Sequence, residues 1–214
     1  MIYCMSDIHG EIDRFHEMLS LIQFSQEDTL YILGDVIDRT PGGVDLLNLI
    51  LEAPNMIMLL GNHEQMCLDT LGPYSLYGSR QLWQQNGGSS TYRHLLYISS
   101  KVEKSRILRF LSQLPDHLDI EVEGRKFHLV HGMPSDDPHT RIWGRPEADS
   151  PAPFEDKTAI IGHTPTCFLT QNFEEEFRIW HGNGIINIDC GCGHKNPNRK
   201  LACLRLNDMA EFYV

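Results

Sequence analysis

In residues 2–10, IYCMSDIHG, a short apolar run and one serine are followed by an acidic residue, a histidine and a glycine. Two further apolar runs, 29–33 and 56–60, stop immediately before a glycine. Between the first two runs, apolar residues recur at the spacing of a helix, at Ile12, Phe15, Leu19 and Ile22. With a second helix predicted after Pro41, this alternation predicts parallel βαβ units, whose ligands bind beyond the carboxyl ends of the strands.

The rest of the chain divides into a helical part and a part rich in strands. Apolar spacing predicts helices over 64–117, with a break at Gly87-Gly88. Six strand-like runs follow, at 118–122, 127–130, 159–161, 185–188, 201–206 and 211–214. We therefore predict an α/β fold in a single domain over residues 1–214, with two sheets and a helical insertion over 64–117.

The composition is that of one ordinary folded domain. A chain of 214 residues with 41% hydrophobic content can bury a large core. The formal net charge of -11 argues against a nucleic-acid partner, because such proteins neutralise many phosphates; an anionic substrate would need local cations. The absence of a basic leader and of a long apolar segment predicts a cytoplasmic location and no membrane contact.

The six cysteines are too sparse for a disulfide scaffold and are interpreted as free thiols. Cys190 and Cys192, together with His194, could suggest a small zinc site. A structural zinc site requires four ligands, and the sequence offers no obvious fourth. Packing of these cysteines in the core is therefore the favoured interpretation.

Polar residues at the ends of the predicted strands form a candidate metal site. Asp7 and His9 stand two residues apart, so the alternation of a strand directs both to one side. Carboxylate, imidazole and amide oxygen ligands also follow four later runs, and together they suit ions such as Mn, Fe or Zn. The predicted ligands are Asp7, His9 and Asp35 for one ion, and Asp35, Asn62, His131 and His163 for the other.

Two ions about 3.5–4 Å apart can share a hydroxide that is nucleophilic at neutral pH, and can hold phosphoryl oxygens during in-line displacement. This set of ligands therefore predicts hydrolysis of phosphate esters. Covalent routes find no support in the sequence. No cysteine has an arginine six residues later, as a cysteine phosphatase requires, and no lysine follows a glycine as in a P-loop.

Three further residues are candidates for handling the leaving group and the phosphate. His63, adjacent to Asn62, is predicted to be the general acid, with Asp38 accepting its other ring proton. Arg39 is a natural bidentate cation for phosphate oxygens.

Five motifs together resemble those of the calcineurin-like metallophosphoesterase superfamily. They are DIHG at 7–10, GDVIDR at 34–39, GNHEQM at 61–66, VHG at 130–132 and IGHTP at 161–165. Three further features are similar to motifs of the phosphoprotein-phosphatase branch of this superfamily, and particularly of its small bacterial and phage lambda-type serine/threonine phosphatases. They are Trp83 followed by NGG at 86–88, IWGR at 142–145 and IDCG at 188–191. The resemblance implies a four-layer α/β/β/α sandwich and two divalent ions, Mn first, with Fe, Zn, Ni or Mg as alternatives. It also implies that Arg145 is the second phosphate-binding arginine.

Within the superfamily, His163 is followed by Thr164 and Pro165, with no second histidine two positions later. Protein phosphatases and symmetrical diadenosine tetraphosphate hydrolases share this pattern. The first hypothesis is a serine/threonine or dual-specificity phosphatase that acts on a phosphoprotein or phosphopeptide. The alternative is a bis(5'-nucleosyl)-tetraphosphatase acting on a dinucleoside polyphosphate, and the remote alternative is an inactive binding scaffold, against which the full ligand set argues.

Overall fold

The first of two central sheets contains the amino-terminal strands of the chain in this computed structural model, which describes residues 1–214. Its strands, in spatial order, are β10 (Ala210–Tyr213), β9 (Ala202–Arg205), β1 (Ile2–Met5), β2 (Thr29–Ile32) and β3 (Met56–Met58). The three strands β1, β2 and β3 are parallel, and β9 is antiparallel to both of its neighbours. The carboxyl ends of the three parallel strands therefore lie at one edge.

The second sheet has a parallel centre of the same kind. Its strands, in spatial order, are β4 (His117–Val122), β5 (Arg125–Val130), β6 (Thr158–Ile161), β8 (Ile185–Asn187) and β7 (Trp180–His181). Strands β5, β6 and β8 are parallel, while β4 and β7 are antiparallel edge strands.

Helices connect the parallel strands and form the segment between the two sheets in sequence. They are α1 (Ile12–Leu21), α2 (Gly43–Glu52), α3 (Asn62–Leu71), α4 (Ser79–Gln85), α5 (Ser89–Arg93), a π-helical turn (His94–Ile98), α6 (Lys101–Leu111), α7 (Pro138–Trp143) and α8 (Thr166–Thr170). None of these helices is both long enough and apolar enough to cross a lipid bilayer.

The core lies on both faces of the first sheet, and strand β1 shows why. Tyr3 and Met5 belong to a cluster of 24 buried residues that includes Phe15 of α1 and Leu47 of α2. Cys4, which points to the opposite face, belongs to a second cluster of 16 buried residues between the two sheets. Because successive side chains of a strand alternate between faces, a continuous apolar run here indicates burial on both sides.

The two mixed sheets and their helices confirm the predicted α/β class. Three short elements, β7, α7 and α8, were not predicted. Strand β7 has only two residues, too few to show a periodic pattern. Helix α7 did carry a local signal, because Asp137 caps it by accepting hydrogen bonds from the N–H groups of His139 and Thr140.

All six cysteines are buried and free, as predicted. Burial raises the pKa of the Cys192 thiol to about 12, so its reactive thiolate is scarce at neutral pH. We expect native protein to react very slowly with a thiol reagent and denatured protein to titrate all six thiols. Rapid reaction of the folded chain, or a melting temperature that falls with reductant, would contradict this arrangement.

Candidate metal centre

The six predicted ligands all lie at the edge where the parallel strands of both sheets end. Asp7 and His9 follow β1, Asp35 follows β2, Asn62 follows β3, His131 follows β5 and His163 follows β6. Each of their side chains is at most 7% exposed. Six polar residues from five loops are thus buried together, which requires partners for their polar atoms.

The carboxylate of Asp35 lies at the centre of the group. Its Oδ2 atom is 3.7 Å from Nε2 of His9, and its Oδ1 atom is 3.4 Å from Nε2 of His131. Oδ1 of Asn62 is 3.0 Å both from Nε2 of His131 and from Nδ1 of His163. Because its two oxygens face different imidazoles, Asp35 is placed between two potential cation positions.

Asp7 approaches the first of these positions with one oxygen only. Its Oδ1 atom is 3.9 Å from Nε2 of His9, whereas Oδ2 accepts hydrogen bonds from the backbone N–H of His163, at 2.9 Å, and from the hydroxyl of Ser6. Nε2 of His63 also borders this position, at 3.7 Å from Oδ2 of Asp35. Potential ligand atoms of His9, Asp35 and His63 in fact group more tightly than a set that includes Asp7.

The hydrogen bonds of the imidazoles test whether metal ions fit. Nδ1 of His9 donates to the carbonyl of Ile37 at 3.0 Å, so Nε2 keeps its lone pair, yet this buried atom has no partner. Nδ1 of His131 likewise donates to the carbonyl of Leu33 at 2.6 Å. Metal-binding histidines are fixed in this way, with the second nitrogen held by a backbone oxygen. The donor atoms present therefore fit two divalent cations.

The pKa values of the buried groups also indicate that the site favours positive charge. Burial raises the pKa of Asp35, but the imidazoles of His131 and His63 outweigh it and hold that pKa well below its usual value. Burial correspondingly lowers the pKa of His131, and the Asp35 carboxylate reverses this and raises it to about 10. His163 stays neutral, because burial and the charge of His131 lower its pKa to about 3. The raised pKa of His131 shows that the buried Asp35 carboxylate favours a positive charge beside it, and a divalent ion would supply such a charge.

The backbone of the site is strained. Of ten non-glycine residues with positive φ in the chain, six belong to the candidate site: Asp7, His9, Asp35, Asp38, Arg39 and His163. Such conformations cost of order 1–3 kcal/mol each and persist only where the surroundings enforce them. A Cβ atom on Gly61 would lie 2.3 Å from Oδ1 of Asp35, so the loops also approach each other too closely for a side chain there.

Glu64 was quoted in the sequence motif without a role, and the structure gives it one. Its fully buried carboxylate accepts hydrogen bonds from the N–H groups of Asp35, Val36 and Gly61 at 2.8, 3.0 and 3.1 Å. It thereby joins the loops after β2 and β3. The available signal was its place three residues after the glycine that precedes α3, where a glutamate caps a helix.

A second buried pair lies beside the metal ligands. His63 donates from Nδ1 to Oδ2 of Asp38 at 2.7 Å, as predicted for a positioned imidazole. Burial opposes protonation, but the carboxylates of Asp35 and Asp38 raise the pKa of His63 above its usual value. Trp83 donates to the same Asp38 oxygen at 2.6 Å. Sequence reasoning missed this contact, because no periodicity links positions 45 residues apart.

Asp189, also quoted only as part of a motif, is 3% exposed and adjoins the site. Burial, and then the negative charge of Asp7, raise its pKa well above the usual value. One of its oxygens accepts a hydrogen bond from the N–H of Gly191 at 2.8 Å. Nothing in the sequence distinguished this aspartate from a loop residue.

Arg39 and Arg145 lie outside the buried group, at the mouth of a cleft of about 690 Å³ that also reaches His163. Both side chains are exposed. The Nη1 atom of Arg145 is 3.4 Å from the hydroxyl oxygen of Thr164, next to His163. The predicted arginines thus come together beside the candidate metal ligands, and beyond them the cleft continues to Phe168 and His194.

Comparisons with known proteins give one family. A model of the calcineurin-like phosphoesterase family matches residues 1–185. Serine/threonine-protein phosphatase 2 of Salmonella typhimurium is 30% identical over 142 residues, which are 64% of this chain and 60% of that protein. The symmetrical bis(5'-nucleosyl)-tetraphosphatase of Delftia acidovorans is 43% identical over 65 residues, which are 29% of this chain and 23% of that protein. The match to the first of these therefore spans about three fifths of the relative's length.

A solved structure supports the fold independently. A crystal structure provisionally described as that of a diadenosine tetraphosphatase aligns with a TM-score of 0.69 and 18% identity. The alignment covers 100% of this chain and 92% of that one. At this level of identity the likeness concerns the arrangement of sheets and helices.

We expect divalent ions to stabilise the protein, because they would compensate the negative charge of carboxylates that are buried in the folded state. At an ion concentration about 100 times the dissociation constant, each site gains roughly 2.7 kcal/mol, so two sites gain roughly 5 kcal/mol, or on the order of 10–20 °C in melting temperature for a chain of this size. Replacing Asp35 by Asn should remove most of this shift in melting temperature, and the variant should bind fewer than two ions per chain. The matched control is Asp45→Asn on α2, whose shift should equal that of the wild type. Two ions retained by Asp35→Asn in elemental analysis would contradict a shared carboxylate.

Proposed function

The chain belongs to the calcineurin-like phosphoesterase family, and we propose that it hydrolyses phosphate esters with two divalent metal ions. The observation that carries the proposal is the position of Asp35, whose two oxygens face His9 on one side and His131 on the other. A single ion site would not need a buried carboxylate presented in two directions. The buried, unpartnered Nε2 atom of His9 supports the same reading.

The ions would be held by two overlapping sets of side chains. The proposed ligands are Asp7, His9 and Asp35 for the first ion, and Asp35, Asn62, His131 and His163 for the second. Bound there, two divalent ions supply a nucleophile at neutral pH and positive charge for a phosphoryl group. Imidazole, carboxylate and amide donors suit several divalent ions. From the resemblance to the family we propose Mn first, with Fe, Zn, Ni and Mg as alternatives.

His63 would protonate the leaving oxygen. Its Nδ1–H is engaged with Asp38, so Nε2 is the nitrogen that faces the site, close to Asp35. We assign His63 to proton transfer rather than to metal binding, because its Nδ1–H is held by Asp38 and, against the effect of burial, the carboxylates of Asp35 and Asp38 raise its pKa, which favours the protonated imidazole. Asp7 then completes the first ligand set.

Arg39 and Arg145 would hold the phosphate. A guanidinium offers paired N–H groups that match two phosphate oxygens, and both arginines border the cleft next to His163. Their exposure leaves them free to meet a ligand. In a protein of net charge -11 these local cations are needed to bring a phosphate to the site.

Replacing His63 by Asn should leave both ions bound but slow the hydrolysis of alkyl phosphates, which have poor leaving groups, by on the order of 10²–10⁴. An activated aryl phosphate needs little protonation, so its hydrolysis should slow far less. His16→Asn, at an exposed position of α1, is the control and should match the wild type. Equal slowing of both esters would argue against an acid role for His63.

For the substrate we propose a phosphoserine or phosphothreonine protein first. The supporting observation is the relative named serine/threonine-protein phosphatase 2, which aligns over 64% of this chain. Exposed arginines at an open cleft also suit a phosphate carried on a larger chain. The partner would then be a phosphoprotein or phosphopeptide.

A dinucleoside polyphosphate is the second candidate, and one feature of the cleft favours it. Beyond the arginines lie the ring of Phe168, which is 47% exposed, and the imidazole of His194. Burial, followed by the charges of Arg39 and Arg145, lowers the pKa of His194 to about 4, so this ring is neutral and aromatic at pH 7. Aromatic rings next to paired cations are suited to a nucleobase joined to phosphates.

Hydrolysis of a phosphothreonine peptide and of diadenosine tetraphosphate should be compared with Mn in the same assay. We expect the higher kcat/KM for the peptide and little effect of Phe168→Ala on it. A strong preference for the dinucleotide, reduced about tenfold by Phe168→Ala as stacking is lost, would assign the second candidate instead. Failure of both substrates and of an aryl phosphate, with two ions bound, would reject the proposed function.

A further inference from the structure

One oxygen of Asp38 receives two side-chain hydrogen bonds from different parts of the chain. Oδ2 accepts from Nδ1 of His63 at 2.7 Å and from Nε1 of Trp83 at 2.6 Å. An indole N–H can only donate, so the direction of the second bond is certain. The other oxygen, Oδ1, is buried and has no partner. The orientation of this carboxylate therefore depends on Oδ2 alone.

The segment formed by α4 and α5 holds the same loop through its backbone as well. The N–H of Asp38 donates to the hydroxyl oxygen of Thr91 at 3.1 Å. The N–H of Arg39 donates to the carbonyl of Gly87 at 3.1 Å. Asp38 and Arg39 have positive φ values of 75 and 63°, which are unfavourable for residues other than glycine. The two hydrogen bonds stabilise this strained backbone.

The indole itself is locked in place. Trp83 is 0% exposed, and a Cβ atom on Gly88 would lie 2.3 Å from its Nε1 atom, so the backbone lies directly against the ring. Tyr92 meets the ring edge-on, with centroids 6.0 Å apart. A ring fixed in this way presents its N–H in one direction.

We propose that Trp83 is a positioning residue, whose indole N–H fixes the Asp38 carboxylate and thereby the ring of His63. The inference rests on the proposed function, in which His63 protonates the leaving group. The terminal torsion of an aspartate is broad, so one hydrogen bond would leave the Asp38 carboxylate free to turn about its Cβ–Cγ bond. A second bond from a fixed donor limits that rotation. Nε2 of His63 is then held 3.7 Å from Oδ2 of Asp35, facing the site.

The position of Trp83 has a consequence for the helical segment. Trp83 lies in α4, outside the sheets that carry the metal ligands, and yet it determines the geometry of the proposed acid. The helices between the two sheets would therefore contribute to the chemical step. A contribution limited to substrate binding would leave Asp38 untouched.

The test is Trp83→Phe, which keeps an aromatic ring and removes only the N–H donor. We expect both ions to remain bound, and KM to change less than about twofold, since the phosphate arginines remain. Turnover of an alkyl phosphate should fall about tenfold to hundredfold, the effect of losing one hydrogen bond to a charged group, while an activated aryl phosphate should change much less. Ile107→Ala, a buried position in the same cluster, serves as a control that loses stability without touching Asp38. It should slow both esters equally or not at all.

A spectroscopic readout separates this proposal from the proposed function. The chain has three tryptophans, so the indole N–H region of a ¹⁵N-labelled sample should show three signals. Asp38→Asn should shift the signal that disappears in Trp83→Phe, while the signal of Trp180, in β7, should stay in place. An unmoved Trp83 signal, or equal slowing of all esters in Trp83→Phe, would overturn the positioning role. A wild-type protein that hydrolyses no ester but shows the signal shift would overturn the proposed function and keep the contact.

Discussion

The carboxylate of Asp35 is the constraint on which the arrangement of the site depends. It is 1% exposed, and its oxygens face imidazoles from both sheets: His9 follows β1, and His131 follows β5. A buried carboxylate is costly unless cations or hydrogen bonds compensate it. The backbone N–H of His63 donates to one oxygen at 3.0 Å, and the rest of the compensation would come from the two proposed cations. Joining the two sheets at this edge therefore couples folding to the binding of positive charge.

Much of this could be predicted from the sequence, because parallel strands bring their carboxyl ends to one edge. A polar residue that follows an apolar run, as Asp7, Asp35 and His131 do, is placed there by topology alone. The contacts of Glu64 and Trp83 could not be predicted in the same way. Their roles depend on which backbone N–H or carboxylate lies opposite after folding, and the indole of Trp83 reaches Asp38 across 45 positions of sequence. Local periodicity specifies the strands but not the hydrogen bonds between their loops.

The strained loops and the hydrogen bonds around them belong to one energetic arrangement. Asp35 and Asp38 both adopt positive φ, and the N–H of each is held by a side chain from a helix, Glu64 in α3 and Thr91 in α5. Strain at a site is retained only when the surrounding structure enforces it. The helices that follow β3 thus stabilise loops which the sheets alone would not hold. This is consistent with the position of two residues missed by sequence reasoning, Glu64 in α3 and Trp83 in α4.

The negative net charge gives the ions a second role besides holding the site together. Asp35 is buried at the edge where a phosphate would bind, and its pKa lies well below the usual value, so its negative charge by itself would repel the phosphate. Arg39 and Arg145 are exposed, so solvent and salt weaken their field beyond roughly 8–10 Å. Two divalent ions would add four positive charges inside the buried group, where screening is weak. The buried carboxylate that by itself would repel an anion is therefore the group that, by holding ions, would allow the site to bind one.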